Sequence, residues 1–482
     1  MSSTTDSIRP GSYRVEKDSM GEMKIPSEML YGASTQRAVE NFPVSGLRFG
    51  REFIRALALI KGACAEVNER LGKLAPKLSA PIVQACAAIA EGKYDNHFVV
   101  DIFQTGSGTS TNMNFNEVAA NLANQSLGIA VGAKKTGHPP VHPNDQVNLG
   151  QSSNDIIPTT IHVTAALSVT QELLPALRGL EATLEKKAEA FKAIVKTGRT
   201  HLQDATPITL GQEFSGYATQ VKKGIARIER TLPSIYELPV GGTAVGTGIN
   251  TDPKFGKLVA AHLAKTLGLP FVEAENHFEA QAAKDACVEL SGALKTVAVS
   301  LIKIANDIRW LASGPRCGIG ELILPAVQPG SSIMPGKVNP VIAESLLQVC
   351  GQVIGNDTAI MFGAQSGNFE LNVMMPLIAH NLLQSIHCLA GGIRIFDEKC
   401  VQGVQANFPR IEETVERSLM LATPLALVVG YDQAAEIAKK AHAENKTVRE
   451  VALATLKLSP QEIKTILDPS KMVVPGSGGG GE

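Results

Sequence analysis

The chain has 482 residues, of which 44% are hydrophobic and 19% are charged, so it can bury a large core. Its formal net charge of −1 argues against nucleic acid or a membrane surface as a partner, and no run of about 18 apolar residues predicts a membrane span. Residues 1–12 lack the apolar stretch of a secretory signal. The seven cysteines form no CxxC motif, and His and Cys show no metal-ligand spacing, so we predict reduced cysteines, no metal site and a cytoplasmic protein.

The first part of the chain alternates helical and polar segments. Residues 13–50 predict irregular structure with short extended pieces. A helical pattern covers residues 53–91, with breaks predicted near Pro76 and Pro81. Two polar segments interrupt the helical pattern further on: residues 101–116 and 134–153.

Apolar residues in the middle of the chain recur at helical spacing over long distances. One run alternates steps of four and three for three heptads: Leu290, Leu294, Val297, Leu301, Ile304, Ile308 and Leu311. Such a repeat indicates long helices packed side by side. The other long helical stretches are residues 173–195, 207–231, 341–364 and 374–396. Together they predict a five-helix bundle, with a two-stranded coiled coil as the alternative, although the e and g positions carry few paired charges.

The pattern changes after Phe408-Pro409, where proline and glycine separate short helices. We therefore predict a mainly α-helical chain with a central long bundle and smaller terminal domains. The predicted boundaries are an N-terminal domain at 1–151, a central bundle domain at 152–408, a small C-terminal helical domain at 409–474 and a disordered Gly-rich tail at 475–482.

Four polar islands lie beside the long apolar segments. They read Thr-Gly-Ser-Gly-Thr-Ser-Thr-Asn at 105–112, Gln-Ser-Ser-Asn-Asp at 151–155, Gly-Arg-Thr-His-Leu-Gln-Asp at 198–204 and Gly-Ser-Ser-Ile-Met-Pro-Gly-Lys-Val-Asn-Pro at 330–340. Many neutral donors with one or two cations can bind a small polyanion. Helix capping explains some of these residues, for example Thr206 before Pro207, but it does not explain four donor-rich islands.

The island at 330–340 combines a loop with a helix start. Its two glycines and two prolines favour a chain path that neither a helix nor a strand takes. Asn339 suits an N-cap, Pro340 suits the first helical position, and the sequence from Val341 onward is helical. Because a helix N-terminus attracts anions, the loop leads into an anion-binding end, although its composition also fits a solvated connector.

His201 is the only histidine in the four islands. A lone histidine is more often structural than catalytic. Glu344 lies one turn into the helix that follows the loop, where the helix dipole alone favours an acid. If the islands converge, Glu344 is placed to orient and charge His201.

The island at 330–340 matches the signature of the fumarase/aspartase superfamily without a departure. Further segments similar in sequence to the class II fumarases lie at residues 16–21, 104–116, 142–145, 198–213, 241–248, 306–321 and 366–372. The resemblance runs from about residue 13 to residue 472. It implies a mostly α-helical protomer whose bundle joins three others in a homotetramer with a 20-helix core and active sites shared by three subunits. The heptads at 290–311 would then be buried between subunits.

The resemblance also implies a reaction without a cofactor, the reversible hydration of fumarate to (S)-malate. Water adds in the anti sense through an aci-carboxylate intermediate. Ser331 matches the base, activated by Lys337 on a lid hinged at Gly330 and Gly336, while His201 with Glu344 handles the proton of the water. The substrate-binding residues implied are Ser107, Gly108, Thr109, Ser152, Ser153, Asn154, Thr200, Ser332, Lys337, Val338 and Asn339.

A second dicarboxylate site of the family matches His142, Pro143, Asn144 and Asp145. The same residues also fit a simple proline-bounded turn. Pro139 and Pro140 stand where some relatives place a basic residue. The only local basic substitutes are Lys134, Lys135 and His138.

Two alternatives share the predicted fold. Aspartate ammonia-lyases resemble residues 198–204 but carry Gln in place of His201, and their counterpart of residues 104–112 lacks the Gln-Thr-Gly-Ser run. A non-catalytic structural member would lack Ser331, His201 or Lys337, and all three are present. The sequence therefore favours the hydratase branch, whose reaction belongs to the tricarboxylic acid cycle.

Overall fold

A computed structural model describes residues 12–132 and 140–476. The N-terminal part begins with an antiparallel pair, β1 (Tyr13–Asp18) and β2 (Gly21–Pro26), in register from Tyr13 against Pro26 to Asp18 against Gly21. Five helices follow: α1 (Ala33–Asn41), α2 (Arg51–Arg70), α3 (Pro76–Ala90), α4 (Thr109–Ser126) and α5 (Ser153–Ser168).

Three predictions for this part are wrong. Helix α1 lies within residues 13–50, the segment predicted to be irregular with short extended pieces. Helix α3 continues through Pro81, where the ring removes a single backbone donor and the following apolar residues Ile82, Cys86 and Ile89 remain buried. Helix α4 begins at Thr109, inside the segment predicted to be polar and non-helical. Most of the polar residues of α4 are buried and not solvated. A run of polar residues in the sequence does not by itself show whether they form a buried helix or an exposed loop.

The middle of the chain holds the long helices and two short ones. They are α6 (Leu174–Ala190), α7 (Leu210–Ile235), α8 (Phe255–Leu267), α9 (His277–Ala282), α10 (Asp285–Leu311), α11 (Val341–Ala364) and α12 (Met375–Lys399). The 27 residues of α10 span about 40 Å. The five long helices confirm the mainly α-helical prediction.

Short strands join these helices. They are β3 (Val195–Thr200), β4 (Gln203–Thr209), β5 (Glu237–Leu238), β6 (Val272–Glu273), β7 (Leu322–Ile323), β8 (Gly367–Asn368), β9 (Leu371–Asn372) and β10 (Gln405–Ala406). Pairs β3–β4, β7–β10 and β8–β9 are antiparallel, whereas β5–β6 is parallel. Thr206 and Pro207 lie in β4, so the prediction that Thr206 caps a helix is wrong.

The C-terminal part is a series of short helices around a small core. They are α13 (Phe408–Arg417), α14 (Ala426–Val429), α15 (Tyr431–Ala443), α16 (Val448–Thr455) and α17 (Pro460–Ile466). Thr447 and Ser459 start α16 and α17 with capping boxes. The last residues of the predicted tail, 477–482, lie outside the described residues.

The heptad residues of α10 are buried within the single chain. From Leu290 to Leu311 their exposed fraction is at most 5%. The prediction that subunits bury them between each other is therefore wrong, because they are already buried within one chain. Val299 and Trp310 of the same helix are each 55% exposed.

The chain divides into two compact units. The first contains described residues up to 173 together with 227–295 and 352–388, and the second contains 174–226, 296–351 and 389–476. Helices α7, α10, α11 and α12 each contribute residues to both units. The division predicted at residues 151 and 408 remains a prediction. None of the helices described is long and apolar enough to cross a membrane.

Candidate active site

The first unit brings the hydroxyl donors of two polar islands together. Thr109 Oγ1 lies 2.9 Å from Ser107 Oγ and 2.6 Å from Ser153 Oγ. Ser107 and Ser153 are each 8% exposed. Gly108, with φ of 73°, permits this approach, because an added Cβ would lie 2.9 Å from the side chain of Ile157. Hydroxyls at the first turns of α4 and α5 thus form one donor cluster.

The start of α5 is fixed by its own caps. Ser152 forms a capping box with Asp155, and Asn154 donates through Nδ2 to the Ala244 carbonyl at 2.8 Å. The buried Asp155 carboxylate accepts the backbone N–H groups of Gly241 at 3.0 Å and Thr243 at 3.1 Å. Burial raises the pKa of Asp155, and its backbone hydrogen bonds act in the opposite direction. These bonds hold the Gly-rich segment at 241–248 beside the donor cluster.

Thr200 and His201 stand at the tip of the β3–β4 hairpin in the second unit. His201 has φ of 56° and Leu202 has φ of 60°. Positive φ is uncommon for residues other than glycine and is found preferentially at functional sites. The side chains of Thr200 and His201 are exposed at the tip. The hairpin therefore presents the imidazole outward in a constrained backbone conformation.

A buried ion-pair cluster anchors this hairpin. Glu321 is 0% exposed and accepts from Arg199 Nη2 at 2.7 Å, while its second oxygen lies 3.2 Å from Lys196 Nζ. Lys196 is 1% exposed and also lies 3.4 Å from Glu213. Burial lowers the pKa of Arg199, but the carboxylates of Glu321 and Glu213 raise it, and the net shift is upward. Sequence reasoning did not single out Glu321, because its partners lie more than 100 residues away.

We expect Glu321→Gln to destabilise the protein by about 3 kcal/mol, since Arg199 loses its hydrogen-bonded carboxylate and the buried Lys196 keeps only Glu213. Turnover should also fall, because the hairpin carrying His201 loses its anchor. Thermal unfolding and activity measure the two effects. The exposed Glu412→Gln is the control. A variant as stable as the control would contradict the anchoring role.

The loop at 330–340 is closed at its base. Gly330 N–H donates to the Lys337 carbonyl at 2.7 Å, and Asn339 Nδ2 donates to the Gly330 carbonyl at 2.7 Å. A Cβ at Gly330 would lie 2.7 Å from the Lys337 oxygen. Helix α11 begins at Val341, and the Asn339 amide binds the loop rather than the helix end, so its predicted N-cap role is wrong.

Ser331 has the most structured environment in this loop. Its Oγ accepts the backbone N–H groups of Ile333 at 3.2 Å and Met334 at 3.0 Å. Ser331 is half-buried, whereas Ser332, Lys337 and Val338 are exposed. Two donors directed at one hydroxyl oxygen stabilise negative charge on it.

The predicted pair of His201 and Glu344 is not formed in the single chain. Neither side chain makes a hydrogen bond or an ion pair with another residue of the described ranges. Glu344 is half-buried in the first turn of α11. The pairing remains a prediction.

The residues of the second predicted dicarboxylate site form a short turn. Pro143–Val147 is one helical turn, and the Asn144 N–H lies 3.3 Å from His142 Nδ1. His142 Nδ1 also lies 3.4 Å from Asp145 Oδ2. Pro139 and the basic residues Lys134, Lys135 and His138 lie outside the described residues.

A further buried polar network escaped the sequence analysis. Lys61, in the apolar face of α2, is 0% exposed and donates to Asn148 Oδ1 at 2.8 Å. The signal available was one lysine between Ile60 and Ala63 in a buried helical stripe. Within residues 12–132 and 140–476, no group of three or more His, Cys, Asp or Glu side chains is arranged to hold a metal ion.

The helical fold and these islands correspond to a known class of enzymes. A family model described as Lyase matches residues 21–355. A second model, described as Fumarase C C-terminus, matches residues 421–474.

Individual proteins narrow the class. The chain is 54% identical to a class II fumarate hydratase from Chromobacterium violaceum, over 95% of this chain and 99% of that protein. It is 52% identical to mitochondrial fumarate hydratase 1 of Arabidopsis thaliana, over 96% of this chain and 94% of that protein. The crystal structure of class II fumarase from Schistosoma mansoni superposes with a TM-score of 0.92 at 41% identity, covering 96% of this chain and 100% of that one. The chain belongs to the class II fumarate hydratase family, as the resemblance in its sequence predicts.

Proposed function

We propose that the protein is a fumarate hydratase, a carbon–oxygen lyase that interconverts fumarate and (S)-malate by anti addition of water. The observation that carries this conclusion is 50–54% identity to fumarate hydratases over nearly the full chain. The reaction is a step of the tricarboxylic acid cycle. Aspartate ammonia-lyase activity is not favoured, because the relatives compared above are hydratases and His201 is present.

When malate is dehydrated, the difficult step is removal of the proton from the carbon beside a carboxylate. The electron pair collects on that carboxylate as an aci-carboxylate, so fixed donors at its oxygens lower the barrier. We propose that the cluster of Ser107, Thr109 and Ser153 supplies such donors, with Gly108, Ser152, Asn154 and Thr200 completing the set. Lys337, Val338, Asn339 and Ser332 bind the substrate from the loop.

Ser331 is the proposed base. A serine hydroxyl is a weak base, so its alkoxide must be stabilised. The N–H groups of Ile333 and Met334 at its Oγ favour that charged form. We propose that the Lys337 ammonium does so as well. Closure of the loop over the substrate would exclude water and strengthen both effects. His201, charged and oriented by Glu344, exchanges the proton of the water or the hydroxyl group.

The proposed assembly is a homotetramer whose active sites are completed by three subunits. The side chains of His201 and Glu344 pair with none of the described residues, which is consistent with partners supplied by other copies of the chain. Light scattering on the purified protein tests the assembly, and a monomer with full activity would contradict it. We also propose a cytoplasmic location, which fractionation of the source cells tests.

The second dicarboxylate site is proposed at His142, Pro143, Asn144 and Asp145. A short turn with a histidine and backbone N–H groups can bind a carboxylate. Calorimetric titration with a non-reacting dicarboxylate should show two sites per chain, and His142→Ala should remove one. If the wild type and His142→Ala each showed a single site per chain, the result would contradict this proposal.

We expect the protein to produce fumarate from (S)-malate and not from aspartate. The absorbance of fumarate follows both reactions. Fumarate from aspartate alone would identify an ammonia-lyase. Failure with both substrates, in a protein that unfolds cooperatively, would favour a non-catalytic structural member of the family.

A further inference from the structure

Lys61 is a buried cation that forms no ion pair with a carboxylate of the described residues. It is 0% exposed, and its hydrogen bond to a described residue goes to the neutral Asn148 Oδ1. A buried charge is unfavourable unless a counter-charge or a ligand compensates it. The position of this charge in the first unit therefore requires an explanation.

The partner of Lys61 connects the two helix starts that carry the hydroxyl donors. Asn148 Oδ1 also accepts from Asn112 Nδ2 and Asn116 Nδ2, each at 3.2 Å. Asn148 Nδ2 donates to the Gln151 carbonyl at 3.1 Å. Asn112 lies one turn after Thr109 on α4, and Gln151 directly precedes the cap of α5. The network thus supports both halves of the donor cluster.

Burial lowers the pKa of Lys61 and outweighs the opposing effect of the nearby Asp155, so the ionisable groups around Lys61 compensate its charge only in part. Burial raises the pKa of Cys64 on its own helix, and raises that of Cys86 on α3 to about 12, so both thiols stay neutral. Asp155 on α5 already accepts three backbone N–H groups, including that of Ser152 at 2.8 Å.

The other elements that pack on α2 carry paired groups. On α8, His262 lies 3.5 Å from Glu66 of α2. On the turn at Pro143–Val147, His142 lies 3.4 Å from Asp145. No carboxylate of the described residues is paired with Lys61.

We propose that Lys61 is a positioning residue whose buried charge serves as the counter-charge for a substrate carboxylate held by Ser107, Thr109 and Ser153. This inference rests on the proposed function and deepens it. The hydroxyls bind the carboxylate directly, and Lys61 acts through Asn148 and through its field in a region of low dielectric constant. The arrangement explains how a set of neutral hydroxyls binds a dianion.

The charge of Lys61 should give substrate binding a characteristic pH dependence. Burial lowers the pKa of Lys61 from 10.5 to about 8. Below about pH 8 the amine is charged and attracts the dicarboxylate. The affinity for the dicarboxylate is therefore highest below this pH and falls as the pH rises through about 8. Stability has the opposite sign, because the folded pKa lies below the unfolded value. The charge destabilises the fold below pH 8, and this cost disappears as pH rises from about 8 to 10.5.

The test is Lys61→Met, which keeps the length of the side chain and removes its charge. KM for fumarate and the dissociation constant of succinate should each rise on the order of tenfold, and kcat should fall as well, because negative charge on the carboxylate held by these hydroxyls grows in the transition state. Succinate binding, measured by calorimetry between pH 6.5 and 9, should weaken above about pH 8 in the wild type and stay flat in the variant. Lys284→Met is the matched control, since Lys284 is 2% exposed and its pKa is also lowered to about 8.

A second variant keeps the test decisive if Lys61→Met folds poorly. Asn148→Asp retains the acceptor oxygen and places a negative charge against the amine. It should reproduce the weakened succinate binding. A purely structural role predicts a lower melting temperature with unchanged KM and an unchanged pH dependence, and that result would overturn the proposal. Inactivity of the wild type toward fumarate and malate would instead contradict the proposed function.

Discussion

Ser331→Ala should reduce kcat by about 10³-fold in both directions while the fold is retained. The substitution removes the proposed base, and general acid–base groups contribute about 10²- to 10⁴-fold. The hydroxyl lies in a loop and not in a core, so its loss breaks only the contacts with Ile333 and Met334. Initial rates with malate and fumarate, together with a melting curve, measure the effect.

Ser332→Ala is the matched control for this substitution. Ser332 is exposed and stands next to the proposed base, where it is predicted to bind the substrate. Its loss should raise KM by about tenfold, with kcat within about threefold of the wild type, the pattern expected for uniform binding. If Ser331→Ala turned over at a rate close to that of the wild type, Ser331 would not be the base.

His201→Asn should lower kcat for hydration by about 10²- to 10³-fold. Asn fits the left-handed backbone at the hairpin tip, because it tolerates positive φ better than other non-glycine residues. It offers hydrogen bonds but cannot exchange a proton near neutral pH, so the loss reports on proton handling. Steady-state rates in both directions measure it.

The exposed His442→Asn is the control for the loss of an imidazole elsewhere. It should have wild-type kinetics. A His201→Asn enzyme with the kcat of this control would assign the water proton to another group. A lower melting temperature in His201→Asn alone would indicate a structural contribution, but it would not restore the catalytic assignment.

The long helices could be predicted because their pattern is regular. The spacing from Leu290 to Leu311 gives the helix, and burial of every member confirms the interpretation. The pattern does not name the element that covers it. A buried stripe has the same sequence whether another subunit or the same chain packs against it, which explains the wrong assignment to subunit contacts.

The β3–β4 hairpin could not be predicted from a turn signature. Its tip is His201-Leu202, with positive φ at both residues and neither glycine nor Asn-Gly to announce it. The β-branched residues at Val195, Thr197 and Thr200 were the available signal. The position of His201 at a constrained tip therefore came from the structure.

The candidate site was predictable in composition and only partly in geometry. Hydroxyl-rich islands at helix starts predicted donors, and Ser107, Thr109 and Ser153 are in contact. The supporting residues were not predictable, because Glu321 and Lys61 act through partners far away in the sequence. Burial of a charge has no signature in a linear sequence beyond its apolar neighbours.

The central claim is the anti addition of water to fumarate, and hydration in deuterium oxide tests it most directly. Proton NMR of the malate formed from fumarate should show one diastereomer, with a single deuterium at C3 placed anti to the new hydroxyl group. The remaining fumarate should contain no deuterium, because the anti elimination of the reverse reaction removes the same deuterium that the addition placed at C3. Malate carrying deuterium in both positions at C3, or no malate at all, would contradict the account.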